Sequence, residues 1–123
     1  MKFDHVQLVV QDVTSLRQFF EALPNIRIST VLKDSYFEVF LGNVSIGVCS
    51  TDIFEASTGI CAESTLRNIV LQFSVNNVDE MLAFVANAPG VSGVFGPFQS
   101  DWGTRSGFIQ HSTGLTIELY CGN

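Results

Sequence analysis

The sequence predicts an α+β fold built from two βαβββ modules whose curved mixed sheets enclose a cleft. Three observations predict it. A strand pattern of period two is followed directly by a helix pattern of period about 3.6, this pair recurs in the second half of the chain, and each pair precedes three short alternating segments. With 123 residues, 46% of them hydrophobic, the chain has the size and composition of a single domain covering residues 1–123.

The first module is predicted over residues 1–50. HVQLVV alternates as a strand, and the next segment carries Leu16, Phe19 and Phe20 at the i, i+3, i+4 spacing of one helix face. Asp12 stands where a side-chain oxygen caps a helix N-terminus. Three strands follow as IRISTVL, SYFEVFL and VSIGVCS, with a Gly-Asn turn between the last two.

The second module is predicted over residues 68–123 and repeats this order. VLQFSV is its first strand, and Asn77 is the predicted N-cap of a helix whose apolar stripe is Met81, Phe84 and Val85. The strands VSGVFG, SGFIQH and LTIELYC complete it.

Residues 51–67 are predicted to connect the modules. Their Ser, Thr, Gly and Glu content is typical of a surface crossing, and Ile53, Phe54 and Ile60 would attach it to the body.

Charge and composition exclude several classes of function. The net charge of −6 and the scattered placement of six Lys and Arg residues argue against nucleic-acid binding, whereas an acidic surface suits solubility or a cationic ligand. No apolar run is long enough to span a membrane, and no secretory pattern precedes the first strand. Cys49, Cys61 and Cys121 lack metal or redox spacing, so free thiols and a cytoplasmic location are expected.

Strand alternation defines the candidate ligand-binding residues. Side chains two positions apart share a face of a strand, and these faces would line the cleft of the predicted fold. The candidates on the first and last strands of the modules are His5, Gln7, Gly47, Cys49, Val70, Gln72, Glu118 and Tyr120. This mixture of small, apolar and polar side chains suits a modest organic molecule.

The loop DWGTRSG adds Trp102 and Arg105 as candidate walls of the pocket, although Arg105 could equally pair with a surplus carboxylate. The strand segment with Tyr36, Phe37, Glu38 and Phe40 could contribute further aromatic wall, although its phenylalanine content is more simply explained as core.

Three stretches resemble the vicinal oxygen chelate superfamily, which includes glyoxalase I, bleomycin-binding proteins, fosfomycin-resistance thiol transferases and extradiol dioxygenases. They are HVQLVVQDV with the Phe-Phe helix, FSVNNVDE, and WGTRSGFIQHSTGLTIEL. The resemblance covers nearly the whole chain and implies a glyoxalase/bleomycin-resistance-like fold. It also implies that the WG loop lies near the mouth of the cleft.

Members of this superfamily that do chemistry hold a divalent metal, and the matching positions here are His5, Gly47, Val70 and Glu118. Only His5 and Glu118 carry donor side chains, and a catalytic site generally needs about three. We therefore expect no metal or other cofactor; a divalent metal, if held, would use His5 and Glu118. Substitute donors would be Gln72, Cys49 and Tyr120.

Two further expectations concern single side chains. Glu118 lies between apolar neighbours, so it would either pair with His5 or point to solvent. His111 replaces an aspartate common in the last turn of superfamily members and is expected to be an exposed turn residue.

The resulting hypothesis is a homodimeric protein that sequesters or senses a small organic molecule without a catalytic metal, closest in type to bleomycin-binding proteins. The alternative is a metal-dependent lyase, thiol transferase or dioxygenase with a non-standard ligand set. A metal-free acid/base role for Glu118 with His5, or a structural dimer with a vestigial cleft, also remains open. Whether the protein is an enzyme is therefore undecided at this level, with binding preferred.

Overall fold

The computed structural model describes residues 1–63 and 65–122. These form two compact units, one from Met1 to Leu66 and one beginning at Arg67. Within the described residues, no helix is long and apolar enough to cross a membrane.

The first unit contains a four-stranded mixed sheet with α1 on one face. Its sheet order is β1-β4-β3-β2, with β1 parallel to β4 and the other neighbours antiparallel. Its elements are β1 (Val6–Val10), α1 (Val13–Glu21), β2 (Arg27–Leu32), β3 (Tyr36–Leu41), β4 (Val44–Ser50) and α2 (Thr51–Thr58). The predicted strands and first helix are confirmed, and Asp12 caps α1 by accepting a hydrogen bond from the Ser15 amide at 3.0 Å.

The second unit repeats this arrangement with the sheet order β5-β8-β7-β6, in which β5 is parallel to β8. Its elements are β5 (Val70–Ser74), α3 (Val78–Val85), β6 (Val91–Gln99), β7 (Arg105–His111) and β8 (Thr116–Cys121). Asn77 caps α3 as predicted, because its side-chain oxygen accepts from the Glu80 amide at 3.0 Å. The predicted α+β class and the two βαβββ arrangements are thus confirmed.

Each core lies between the sheet and the main helix of its unit. In the first unit the predicted stripe of Leu16, Phe19 and Phe20 is fully buried, and the Phe20 ring meets the Phe37 ring edge to face with centroids 6.4 Å apart. In the second unit the buried strand residues Ile109, Ile117 and Leu119 lie under α3. Burial of these side chains is the main force that holds helix to sheet.

The predicted stripe of α3 is wrong in part. Its buried residues are Val78, Leu82 and Val85, whereas Phe84 is 58% exposed. The physical reason is the glycine beneath the helix. A Cβ on Gly107 would lie 2.8 Å from Leu82, so the Leu82 side chain fills the space that a larger strand residue would occupy. At the corresponding place in the first unit a large residue, Phe37, stands on the strand instead.

The helix α2 was not predicted. It begins after Ser50, whose hydroxyl accepts from the Ile53 amide at 3.1 Å, and ends at Gly59 in the left-handed conformation. Half-buried Ile53 and Phe54 attach it to the first unit, while Ile60 is exposed. Residues 51–58 therefore belong to a folded element and not to an irregular crossing.

The expectation that His111 is exposed is also wrong, because the side chain is only 1% exposed. His111 continues the row of Gly107 and Ile109 on the face of β7 that α3 covers. Its Nδ1 accepts a hydrogen bond from the Thr113 amide at 3.2 Å, and its ring lies against Gly90. His111 is thus part of the core of the second unit.

Replacing Gly90 with Ala should destabilise the protein by more than the same change at Gly59. Both glycines have positive φ, 82° and 74°, so Ala costs about 1–2 kcal/mol of backbone strain at each. Only at Gly90 would the new Cβ lie 2.2 Å from His111 Nε2, which adds roughly 1–3 kcal/mol of overpacking. Urea unfolding of both variants measures the difference, and equal losses would contradict this packing of His111.

Candidate functional site

Each sheet has one face that the main helix of its own unit does not cover, which we call the helix-free face. In the second unit this face carries Gln72 and Glu118, which are direct partners across β5 and β8. Gln72 Nε2 donates a hydrogen bond to Glu118 Oε1 at 2.8 Å. Glu118 is half-buried, so its carboxylate is held in place while part of it remains accessible.

Three phenylalanine rings continue this face from the pair across β7 to β6. Phe108 on β7 is the direct strand partner of both Glu118 and Phe95, and the Phe98 and Phe108 rings lie with centroids 6.2 Å apart. Phe95 and Phe98 are 52% and 53% exposed. Exposed aromatic surface beside a fixed polar group is typical of a ligand-binding face.

Phe95 and Phe98 were not predicted as site residues because β6 is irregular. Its register shifts twice, between Val91 and Gly93 and between Phe95 and Phe98. Strict alternation would place Phe95 and Phe98 on opposite faces, since they are three residues apart. The second shift returns Phe98 to the face of Ser106 and hence of Phe108. Phe108 could have been found from the sequence, because strand alternation along β7 places it on the same face as Ser106, two residues away.

The predicted wall residue Arg105 lies on the other face of the second sheet. It shares the β7 row of Gly107, which α3 covers, and its guanidinium binds the Asp79 carboxylate through Nε and Nη2 at distances of 2.9 to 3.2 Å. Of the two alternatives for Arg105, pairing with a carboxylate is therefore the one observed. An exposed pair of this kind contributes only about 0.2–1 kcal/mol.

A shallow groove of about 390 Å³ runs along this α3 side of the second unit. Its lining residues are Asp79, Leu82, Ala83, Ala86, Val94, Pro97 and Arg105. The two charged residues of the groove, Arg105 and Asp79, already form a salt bridge with each other. The groove therefore offers a ligand mainly apolar contact.

On the helix-free face of the first sheet, Gln7, Gly47 and Glu38 are successive partners across β1, β4 and β3. A Cβ on Gly47 would lie 3.3 Å from the Tyr36 hydroxyl and 3.7 Å from Gln7 Cγ. Gly47 therefore lets the Tyr36 hydroxyl and the Gln7 amide approach the strand closely. Tyr36 and Glu38 belong to this face and not to the core beneath α1.

Cys49 lies in the next row, between its partners Val9 and Tyr36, and is buried. Burial raises the pKa of the Cys49 thiol. Because the thiolate is the form that attacks electrophiles, burial and the raised pKa disfavour Cys49 as a nucleophile at neutral pH.

The remaining predicted residues have separate surroundings. His5 Nδ1 is hydrogen-bonded to Asp4 Oδ2 at 2.7 Å, and Val70 is exposed on β5. Tyr120, partnered by serines on both neighbouring strands, is half-buried, while Trp102 is exposed in the turn after β6. The predicted pairing of His5 with Glu118 would join the two units and stays a prediction.

The side chains present do not fit a standard three-ligand metal site. Gly47 and Val70 offer no side-chain donors, and among residues 1–63 and 65–122 no group of three His, Cys, Asp or Glu side chains is placed to hold a metal ion. Chemistry at the helix-free faces therefore starts from two carboxylates, Glu38 and Glu118, together with side-chain amides, two phenols and aromatic rings.

Several solved structures share the fold of the whole chain. One is a glyoxalase/bleomycin resistance protein/dioxygenase family enzyme from Burkholderia phytofirmans, with 12% identity, coverage of 98% of both chains and a TM-score of 0.78. A glyoxalase-related enzyme from Fulvimarina pelagi has 10% identity, a TM-score of 0.79, and coverage of 99% of this chain and 88% of its own.

A lactoylglutathione lyase from Agrobacterium tumefaciens matches with 14% identity, a TM-score of 0.72, and coverage of 98% of this chain and 93% of its own. No protein-family model matches the sequence, and no curated protein matches it significantly. At these identities the likeness concerns the fold alone: the chain has a glyoxalase/bleomycin-resistance-like fold.

The three thiols should react at different rates with a disulfide reagent such as Ellman's reagent at neutral pH. Exposed Cys61 should react first and half-buried Cys121 more slowly, whereas Cys49 should react only after unfolding because it is buried and its pKa is raised. Cys61→Ser should remove the fast phase alone. Reaction of all three thiols at one rate in folded protein would contradict this assignment.

Proposed function

We propose that this protein binds a small organic molecule, which it sequesters or senses without a catalytic metal. The observation that carries the proposal is the helix-free face of the second unit, where the Gln72–Glu118 pair and the exposed rings of Phe95 and Phe98 lie on either side of Phe108. Apolar area of this kind supplies binding energy, and a few fixed polar groups supply orientation and specificity.

The donor set supports binding over metal-assisted chemistry. A Lewis-acid site needs about three protein ligands, and Gly47 and Val70 stand where superfamily enzymes would be expected to place two of them. Cys49, a conceivable substitute donor, favours its protonated form because burial raises its pKa. The fold is compatible with either role, since one fold hosts many functions.

The metal-dependent enzyme remains the second candidate, because Glu118 retains a carboxylate on the helix-free face and a fold neighbour is a lactoylglutathione lyase. Such an enzyme would be a lyase, thiol transferase or dioxygenase that uses a non-standard ligand set. A homodimer is part of the proposal in both cases, since a partner chain could complete a pocket.

Native mass spectrometry of the untagged protein tests the proposal, because one spectrum reports bound metal, retained small molecules and the number of chains. We expect a dimer without stoichiometric metal, and a thermal-shift screen with small organic molecules should find ligands whose stabilisation is unchanged by a chelator. One tightly held divalent ion per chain, lost in both His5→Ala and Glu118→Gln, would favour the enzyme and overturn the proposal.

A further inference from the structure

The charge on the helix-free face of the second unit is unbalanced. Glu118 is the only acidic residue in β5, β6, β7 and β8, and the basic residues of these strands are Arg105 and His111, both in the β7 row on the α3 side. Arg105 points to the α3 side, where Asp79 matches its charge. Glu118 is hydrogen-bonded to a neutral amide instead and forms no salt bridge within the part of the chain that is described.

The surroundings of Glu118 strengthen its interaction with a cation. The carboxylate is half-buried beside Phe108, so solvent screens it less than a fully exposed one. The Gln72 amide donates a hydrogen bond to Glu118 Oε1, which fixes the orientation of the carboxylate. Glu118 Oε2 then remains as an acceptor for a ligand. The exposed rings of Phe95 and Phe98 offer faces on which a planar group can stack and which attract positive charge.

From this juxtaposition we infer that the helix-free face of the second unit selects planar aromatic molecules bearing a cationic N–H group, such as an amidinium or a protonated amine. The aromatic rings bind the planar part and the Glu118 carboxylate accepts from the cation. This inference rests on the proposed function, because it names the ligand class of the same site. The net charge of −6 acts in the same direction by raising the local concentration of cations.

Three ligands with one ring system and different head groups test the inference: naphthamidine, naphthamide and naphthoate, which are cationic, neutral and anionic at neutral pH. Isothermal titration of the purified, untagged protein should rank them in that order. We expect about a tenfold difference between the cation and the neutral amide, the size of effect that one charge-assisted hydrogen bond gives.

Variants identify the groups responsible. Glu118→Gln keeps the shape and should remove the preference for the cation, weakening naphthamidine about tenfold while leaving naphthamide unchanged. Glu118→Asp keeps the charge and should retain the order. Phe108→Leu should weaken all three ligands by a similar factor. Glu80→Gln, the same charge change at an exposed residue of α3, should have no effect. Circular dichroism checks that each variant is folded.

Equal affinities for the three ligands, or an unchanged order in Glu118→Gln, would overturn the inference. If the series fails to bind while the small-molecule screen finds ligands of another kind, the inference fails and the proposed function stands. If neither the series nor the screen gives a ligand, both fail.

Discussion

The structure depends on one constraint: a βαβββ unit has a single main helix to cover a four-stranded sheet. The alternating side chains of each sheet therefore form two sets, one that faces the main helix and one that faces away from it. Residues such as Phe37 and Ile109 face the helix and form the core, and they are almost completely buried. The other set is not covered by the main helix, and in the second unit it carries Gln72, Glu118 and Phe108. The candidate binding surface thus follows from the architecture of the unit.

The same constraint explains how the two units differ inside one topology. The strand position that Phe37 occupies beneath α1 is occupied by Gly107 beneath α3. Leu82 fills the space above the glycine. On the helix-free faces the contrast is chemical: Tyr36 and Gln7 surround Gly47 in the first unit, whereas Glu118 and phenylalanine rings occupy the second. In each unit the space between helix and sheet is thus filled by a different combination of side chains, and the surfaces that could meet a ligand differ as well.

Sequence reasoning succeeded where a local rule decides the outcome. The strand periodicity, the two N-caps at Asp12 and Asn77, and the buried stripe of α1 follow from local patterns. It failed where distant residues decide: Phe84 is exposed because Leu82 packs over Gly107, and His111 is buried because its row lies under α3. The aromatic part of the candidate site was hidden by the register shifts of β6, which alternation cannot foresee.

The central claim is that ligands bind to the helix-free face of the second unit, not to its α3 side. The most direct test is NMR of the protein with the tightest ligand found, following phenylalanine ring signals and the side-chain amide of Gln72. We expect Phe95, Phe108 and the Gln72 amide to shift on binding, since Gln72 and Phe108 are the strand partners of Glu118 and Phe95 is the next partner along the same face. Shifts confined to the groove at Leu82 and Val94 would contradict it.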